Sequence, residues 1–252
     1  MTTSVLIRSA YLHGHELRAN PALAVIGLVQ PAAVQTLLLS THRVDDPTAL
    51  VAGSCLMTLW TATVWSSGML LRREIRLGTI AGLLTRPTDL RWIVAGKALG
   101  ASTAALLLNL LVAAVLPPAL GYHLHVARPA LLPLAAVLAL ASATAVGTLL
   151  AGLFISSRAA GRIAEALLFP VFLLSGALLP ISRLPTWLHW PSALLDLRWL
   201  REITLAAMNG SDLPSHAVTI LLACTAVQYA TAHAVFGRLL QRARKEATLD
   251  YY

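Results

Sequence analysis

Long apolar runs broken by short polar stretches dominate the sequence. They fall at 21–39, 50–71, 92–116, 131–155, 163–179 and 216–240. A helix needs about 20 apolar residues to cross a bilayer, so the pattern predicts six transmembrane helices. Pro31 lies inside the first run and predicts a kink. Pro117, Pro118 and Gly121 mark the end of the third. Ahead of the first run, 5–19 mixes Val5, Leu6, Ile7, Tyr11 and Leu12 with Arg8, His13, His15, Glu16 and Arg18. That mixture is too polar to span; it predicts an amphipathic helix on the membrane surface and no cleavable signal peptide. Two stretches between runs are too long for turns. One is charged, at 72–91; the other, at 180–213, is rich in Trp and Pro.

Composition agrees with a bilayer as solvent. The chain is 57% hydrophobic and 12% charged, whereas soluble domains average about 45–50% and 25%. Six spans leave short loops, so 1–252 reads as a single all-α membrane domain. The net charge of +8 is unevenly placed. With six spans, one side holds Arg8, Arg18, Arg72, Arg73, Arg76, Arg86, Arg91, Lys97, Arg158, Arg162, Arg238, Arg242, Arg244 and Lys245. The other holds Arg43, Arg128, Arg183, Arg198 and Arg201, offset by Asp45, Asp46, Asp196, Glu202 and Asp212. The basic side is cytoplasmic, which puts both termini inside. This bias accounts for the charge without nucleic acid. The Arg-, Ala- and Leu-rich usage suggests a high-GC bacterium and its cytoplasmic membrane. Cys55 and Cys224 fall in apolar runs and indicate no disulfide framework.

Polar residues within the spans fall on two faces. Ser54, Thr58, Thr61 and Trp65 recur at helical spacing in the second, and Thr225, Tyr229 and His233 in the sixth, with Gln228 beside them. Each face fits either interhelical hydrogen bonding or a polar substrate path. Asn109 fits a packing hydrogen bond, and Glu165 either an interfacial ion pair with Arg162 or a functional acid. Gly96 and Gly100, and Ala143, Gly147 and Ala151, are small-residue patterns of the kind that bring helices close. No catalytic constellation is present. The His-x-His pairs His13/His15 and His123/His125 lack a ligand set for a metal, and Gly96-Lys97 lacks the rest of a phosphate-binding loop.

Two segments are more specific. After the second run stand Glu74, Gly78-Thr79, Leu83-Leu84 and Pro87. Closing the fifth are Leu174-Ser175-Gly176, Pro180 and Leu184-Pro185-Thr186-Trp187-Leu188, leading to Trp190 and Trp199. Together they resemble the permease subunit of type-2 ABC exporters, closest in look to actinobacterial drug and antibiotic exporters. The resemblance implies a cytosolic coupling helix at 72–91, with Glu74, Gly78, Thr79, Leu83, Leu84 and Pro87 meeting the motor. It implies a re-entrant outer segment containing Ser175, Gly176, Pro180, Pro185 and Trp187. The partners it implies are two copies of a cytosolic ATPase, which would bind ATP and Mg, and a second permease, identical or different. This chain would bind no cofactor. The implied cargo is a hydrophobic or amphipathic small molecule, with a lipid-linked glycan as the alternative. Outside the family, an ion-coupled secondary transporter or a membrane enzyme would need inverted repeats or clustered ionisable groups, and neither is evident.

Overall fold

The computed structural model describes residues 21–40, 46–79, 82, 90–177 and 181–246, and among them all regular structure is helical. Helix α1 is Pro21–Ser40, with Pro31 inside it. Helix α2, Pro47–Ala62, starts on an N-cap: the Asp46 carboxylate accepts from the Ala49 N–H at 3.0 Å, and Pro47 occupies the first turn. A π-helical stretch, Thr63–Gly68, follows, and then α3, Leu70–Arg76. These make one rod, Pro47–Arg76, of 30 residues. At about 1.5 Å per residue it is about 45 Å long, more than the roughly 30 Å hydrocarbon core. Its charged residues Arg72, Arg73, Glu74 and Arg76 are gathered in the last turns of the rod.

Helix α4 is Leu90–Ala119, running through Pro117 and Pro118 rather than stopping before them. Prolines in the last turn cost only a few terminal hydrogen bonds. Gly121 is what ends the helix. Its φ is +84°, and Tyr122 N–H donates to Pro117 O at 2.9 Å while Gly121 N–H donates to Pro118 O at 3.0 Å. This reversal needs a left-handed residue, which glycine supplies at little cost. Helix α5 is Leu131–Ile155, α6 is Ala160–Leu174, α7 is His189–Ala193, α8 is Asp196–Asn209 and α9 is Ser215–Glu246. Short 3-10 turns at Ile181–Arg183 and Thr186–Leu188 precede α7. Among the described residues, four helices are long and apolar enough to cross a membrane: Pro47–Arg76, Leu90–Ala119, Leu131–Ile155 and Ser215–Leu239. The expected surface helix at 5–19 and most of 80–89 lie outside the described residues.

Helix α5 is the hub. Some 67% of its most apolar window is buried, against 17% for α9. Small residues allow this. The π stretch lies so close to α5 that Gly147 faces Ser67 and Thr63, and Gly68 faces Leu150 and Phe154. Gly152 meets Val235 and Phe236 of α9. The main core gathers Leu56, Leu59, Leu138, Trp199, Leu200, Ile203 and Leu221 from α2, α5, α8 and α9.

Helix α6 has 15 residues, starting before the expected 163–179 and ending early at Ser175 and at Gly176, whose φ is +78°. About 22 Å of helix does not cross a bilayer alone. Yet the chain changes ends after α5. Ser157 O accepts from Arg72 at one end of the bundle. At the other, Ala127 N–H donates to Met208 O at 2.9 Å and Arg128 N–H to Ala207 O at 2.8 Å. Helices α6 and α8 in series make that passage.

Candidate functional site

At the Arg72 end, α3 closes on Gly78, whose φ is +69°. Thr79 N–H donates to Glu74 O and Gly78 N–H to Ile75 O, both at 3.0 Å. This paired closure places Thr79 five residues after Glu74 yet beside it. The Thr79 hydroxyl donates to Glu74 Oε2. Glu74 Oε1 pairs with Lys97 Nζ of α4 at 2.5 Å, and the two side chains are only 13% and 11% exposed. Thus α3 and α4 are clasped across the loop that joins them. Arg72 reaches the α5–α6 turn at Ser157 O, and Arg91 at the start of α4 contacts His233 of α9. Arg72 and Arg91 thus tie this end of α3 and α4 to the α5–α6 turn and to α9. Leu83, Leu84 and Pro87 lie outside the described residues.

The polar face of the second run divides. Ser54 and Thr58 are buried. Thr58 Oγ1 donates to Asn109 Oδ1 of α4, whose amide donates to Ala105 O at 2.9 Å. Thr61 is half-buried, its hydroxyl on Met57 O at 2.8 Å. Trp65 is exposed, because the i→i+5 bonding of the π stretch widens the turn and carries it off the face. Nearby, Gln35 of α1 donates to Cys55 Sγ at 3.5 Å.

In α9, Thr225 is buried with its hydroxyl on Leu221 O at 2.8 Å, and Tyr229 is exposed. Gln228 points elsewhere. Its Nε2 donates to Asp196 Oδ1 at 2.9 Å, while Ser142 Oγ of α5 donates to Asp196 Oδ2 at 2.5 Å. Asp196 is 3% exposed. The sequence reading counted it as an outer-surface acid balancing arginines, and the structure corrects that. The signal was local: Asp196 begins an amphipathic helix whose buried positions continue with Leu197, Trp199, Leu200 and Ile203. An acid on the buried face of such a helix is not a surface charge. Trp199 moves with it. Expected at the interface, it lies in the core with its indole N–H on Ala193 O at 2.9 Å.

The outer segment is folded against itself. Ser175 is buried at the close of α6, its N–H on Val171 O at 2.9 Å, and Gly53 of α2 lies against Ala177 O. Ser192 Oγ donates to Leu174 O at 2.6 Å. Arg198 donates to His189 O and Ser192 Oγ, both at 3.3 Å, and its guanidinium stacks 4.8 Å above the Trp199 ring. Pro185, Trp187 and Trp190 are exposed, and Pro180 lies outside the described residues. Glu165 and Arg162 are both exposed. Among the described residues, no group of three or more His, Cys, Asp or Glu side chains gathers to hold a metal ion.

A protein-family model described as ABC-2 type transporter matches residues 17–209, from just before α1 to the end of α8. No curated protein matches the chain.

Proposed function

The chain belongs to the ABC-2 type transporter family, and from that premise we propose that it is the permease subunit of an ATP-driven exporter. It is a multi-pass membrane component without catalytic groups of its own, and the family implies an ABC ATPase partner and usually a second permease. The complex moves a hydrophobic or amphipathic small molecule outward across a bacterial cytoplasmic membrane. Two ATPase subunits, holding ATP and Mg, bind at the basic end, and two permeases share the path.

The observation that carries this reading is the clasp of Glu74, Thr79 and Lys97 at the base of the loop 77–89. A soluble motor can move a membrane path only by favouring one of its two arrangements. Helices α3 and α4, clasped to each other and tied through Arg72 and Arg91 to the α5–α6 turn and α9, would transmit such a bias. In this reading Leu83, Leu84 and Pro87 complete the surface that meets the ATPase. Ser54, Thr58, Thr61, Trp65, Thr225, Gln228 and Tyr229 lie on the helices that would border the path, and Trp187 anchors the outer segment.

Six crossings fit the proposal. Tyr122 Oη donates to Leu39 O at 2.9 Å, which puts the end of α1 beside the end of α4. The passage from Ser157 to Ala207 supplies the fifth crossing through α6 and α8.

Affinity purification of the chain from its native membrane tests the reading. We expect a soluble ATPase to co-purify and its activity to change when the permease is present. Deleting 80–84 should abolish export while insertion persists. A chain that purifies alone and carries out ion-coupled uptake refutes the proposal.

A further inference from the structure

Asp196 is a carboxylate at mid-membrane depth with no cation beside it. Ser142 is near the middle of α5 and Gln228 near the middle of the apolar part of α9, so their shared acceptor lies halfway through the bundle. Both donors are neutral. Helix α5 carries no ionisable side chain, and α9 offers Cys224 and Tyr229 nearby. On α8 itself, Arg198 is committed to Glu202, His189 O and Ser192. Among the described residues no ion pair reaches Asp196. A charge in a low-dielectric interior is costly unless paired and fully hydrogen-bonded.

A second group at the same place also lacks a partner. Gln228 Oε1 is buried and accepts from nothing. Two acceptors on one side chain pair, one of them charged, describe a missing cationic donor. A proton on Asp196 would remove the charge and leave Gln228 Oε1 unsatisfied. An ammonium head supplies the charge and three N–H donors together, which covers both. On α9, Gln228 is half-buried, and Val227 and Tyr229 on either side of it in the chain are exposed.

We propose that Asp196 and Gln228 form a recognition point for the protonated amine of an amphiphilic molecule. The transported cargo is therefore a cationic amphiphile, whose apolar part lies along the exposed side of α9 between Leu222 and Tyr229. The transport role rests on the exporter reading; the binding does not.

The test uses the full chain in lipid nanodiscs, titrated with octylammonium or with octanol, and reads the midpoint of thermal unfolding. Octylammonium should raise the midpoint saturably and octanol should not. Asp196→Asn keeps the shape and offers Ser142 a donor its hydroxyl can accept; it should weaken octylammonium binding about tenfold or more, the worth of a charge-assisted hydrogen bond. Gln228→Leu should weaken it several-fold, and decides the matter if Asp196→Asn does not fold. Equal octylammonium stabilisation of wild type and variants overturns the proposal, as does no saturable effect on wild type. So does a midpoint that follows pH in wild type but not in Asp196→Asn while octylammonium has no effect, since the cation is then a proton alone. The assay contains no ATPase. Amine binding without a co-purifying ATPase would sink the exporter reading and leave this site standing.

Discussion

Gly147 shows how much a single atom decides in this bundle. A Cβ there would lie 2.5 Å from the Ser67 Cβ, with the Thr63 methyl at 3.5 Å. Gly147→Ala should therefore lower stability by about 1–3 kcal/mol, the usual cost of overpacking. Because the clash is with Cβ rather than with the hydroxyl, Ser67→Ala should not relieve it and Ser67→Gly should. Thermal unfolding of the four proteins of the Gly147→Ala, Ser67→Gly cycle in detergent measures this, and a coupling of about 1 kcal/mol is expected. Gly53 makes the opposite case. An added Cβ meets the Ala177 carbonyl oxygen at 2.9 Å, a backbone atom that no second substitution removes. The spacing of Ala143, Gly147 and Ala151 was legible in the sequence as a close-packing pattern. Its partner was not, because Ser67 and Gly68 belong to a π turn, and nothing in the pattern 63–68 departs from an ordinary helix.

Among the elements, the α3–α4 clasp separates local from long-range legibility. Glu74, Gly78 and Thr79 stand together in the sequence, and the helix ending that joins them follows from the left-handed glycine. Lys97 is 23 residues from Glu74, and by itself it reads as one more cytoplasmic charge at the mouth of a span. Only the antiparallel return of α4 beside α3 makes them a pair. Removing one partner breaks a nearly buried ion pair. Glu74→Gln and Lys97→Met should each cost about 2–3 kcal/mol. The double substitution Glu74→Gln, Lys97→Met should cost less than the two single losses together, since the same ion pair is lost only once. Unfolding midpoints in nanodiscs check the stability, and the transport assay should show export falling further than ATP hydrolysis in Glu74→Gln. The burial of Asp196 is legible in the amphipathic pattern of α8, but its partners are not. Its donors come from α5 and α9, 54 and 32 residues away, and no local pattern records them.

At the scale of the molecule, the question is which end of the bundle each loop occupies, and the hydrogen bonds constrain it more than hydropathy does. Four helices are long and apolar among the described residues, α1 is apolar over its 20 residues, and the 15-residue α6 is too short to cross alone. With only those four crossing, the chain between α6 and α9 would remain on the side of Ser156. The contacts oppose that. Arg128 donates to Ser211 O at 3.1 Å and pairs with Asp212 at 3.3 Å, so 211–212 share the end of the bundle where α5 begins. Ser156 is where α5 ends. In the six-crossing proposal the passage through α6 and α8 is the fifth crossing, made without one long apolar helix, and the apolar run 163–179 marks its first part in the sequence. Single cysteines placed in a Cys55→Ala, Cys224→Ala background at the exposed positions Thr79, Ser156 and Ser211 read the arrangement directly. A membrane-impermeant maleimide should label Ser211→Cys in intact cells. It should label Thr79→Cys and Ser156→Cys only after permeabilisation, as the positive-inside bias of Arg72, Arg73, Arg76 and Arg158 predicts. Labelling of Ser211→Cys only together with Ser156→Cys would mean that α6 and α8 turn back without crossing, and would remove the outer lid from the transport path.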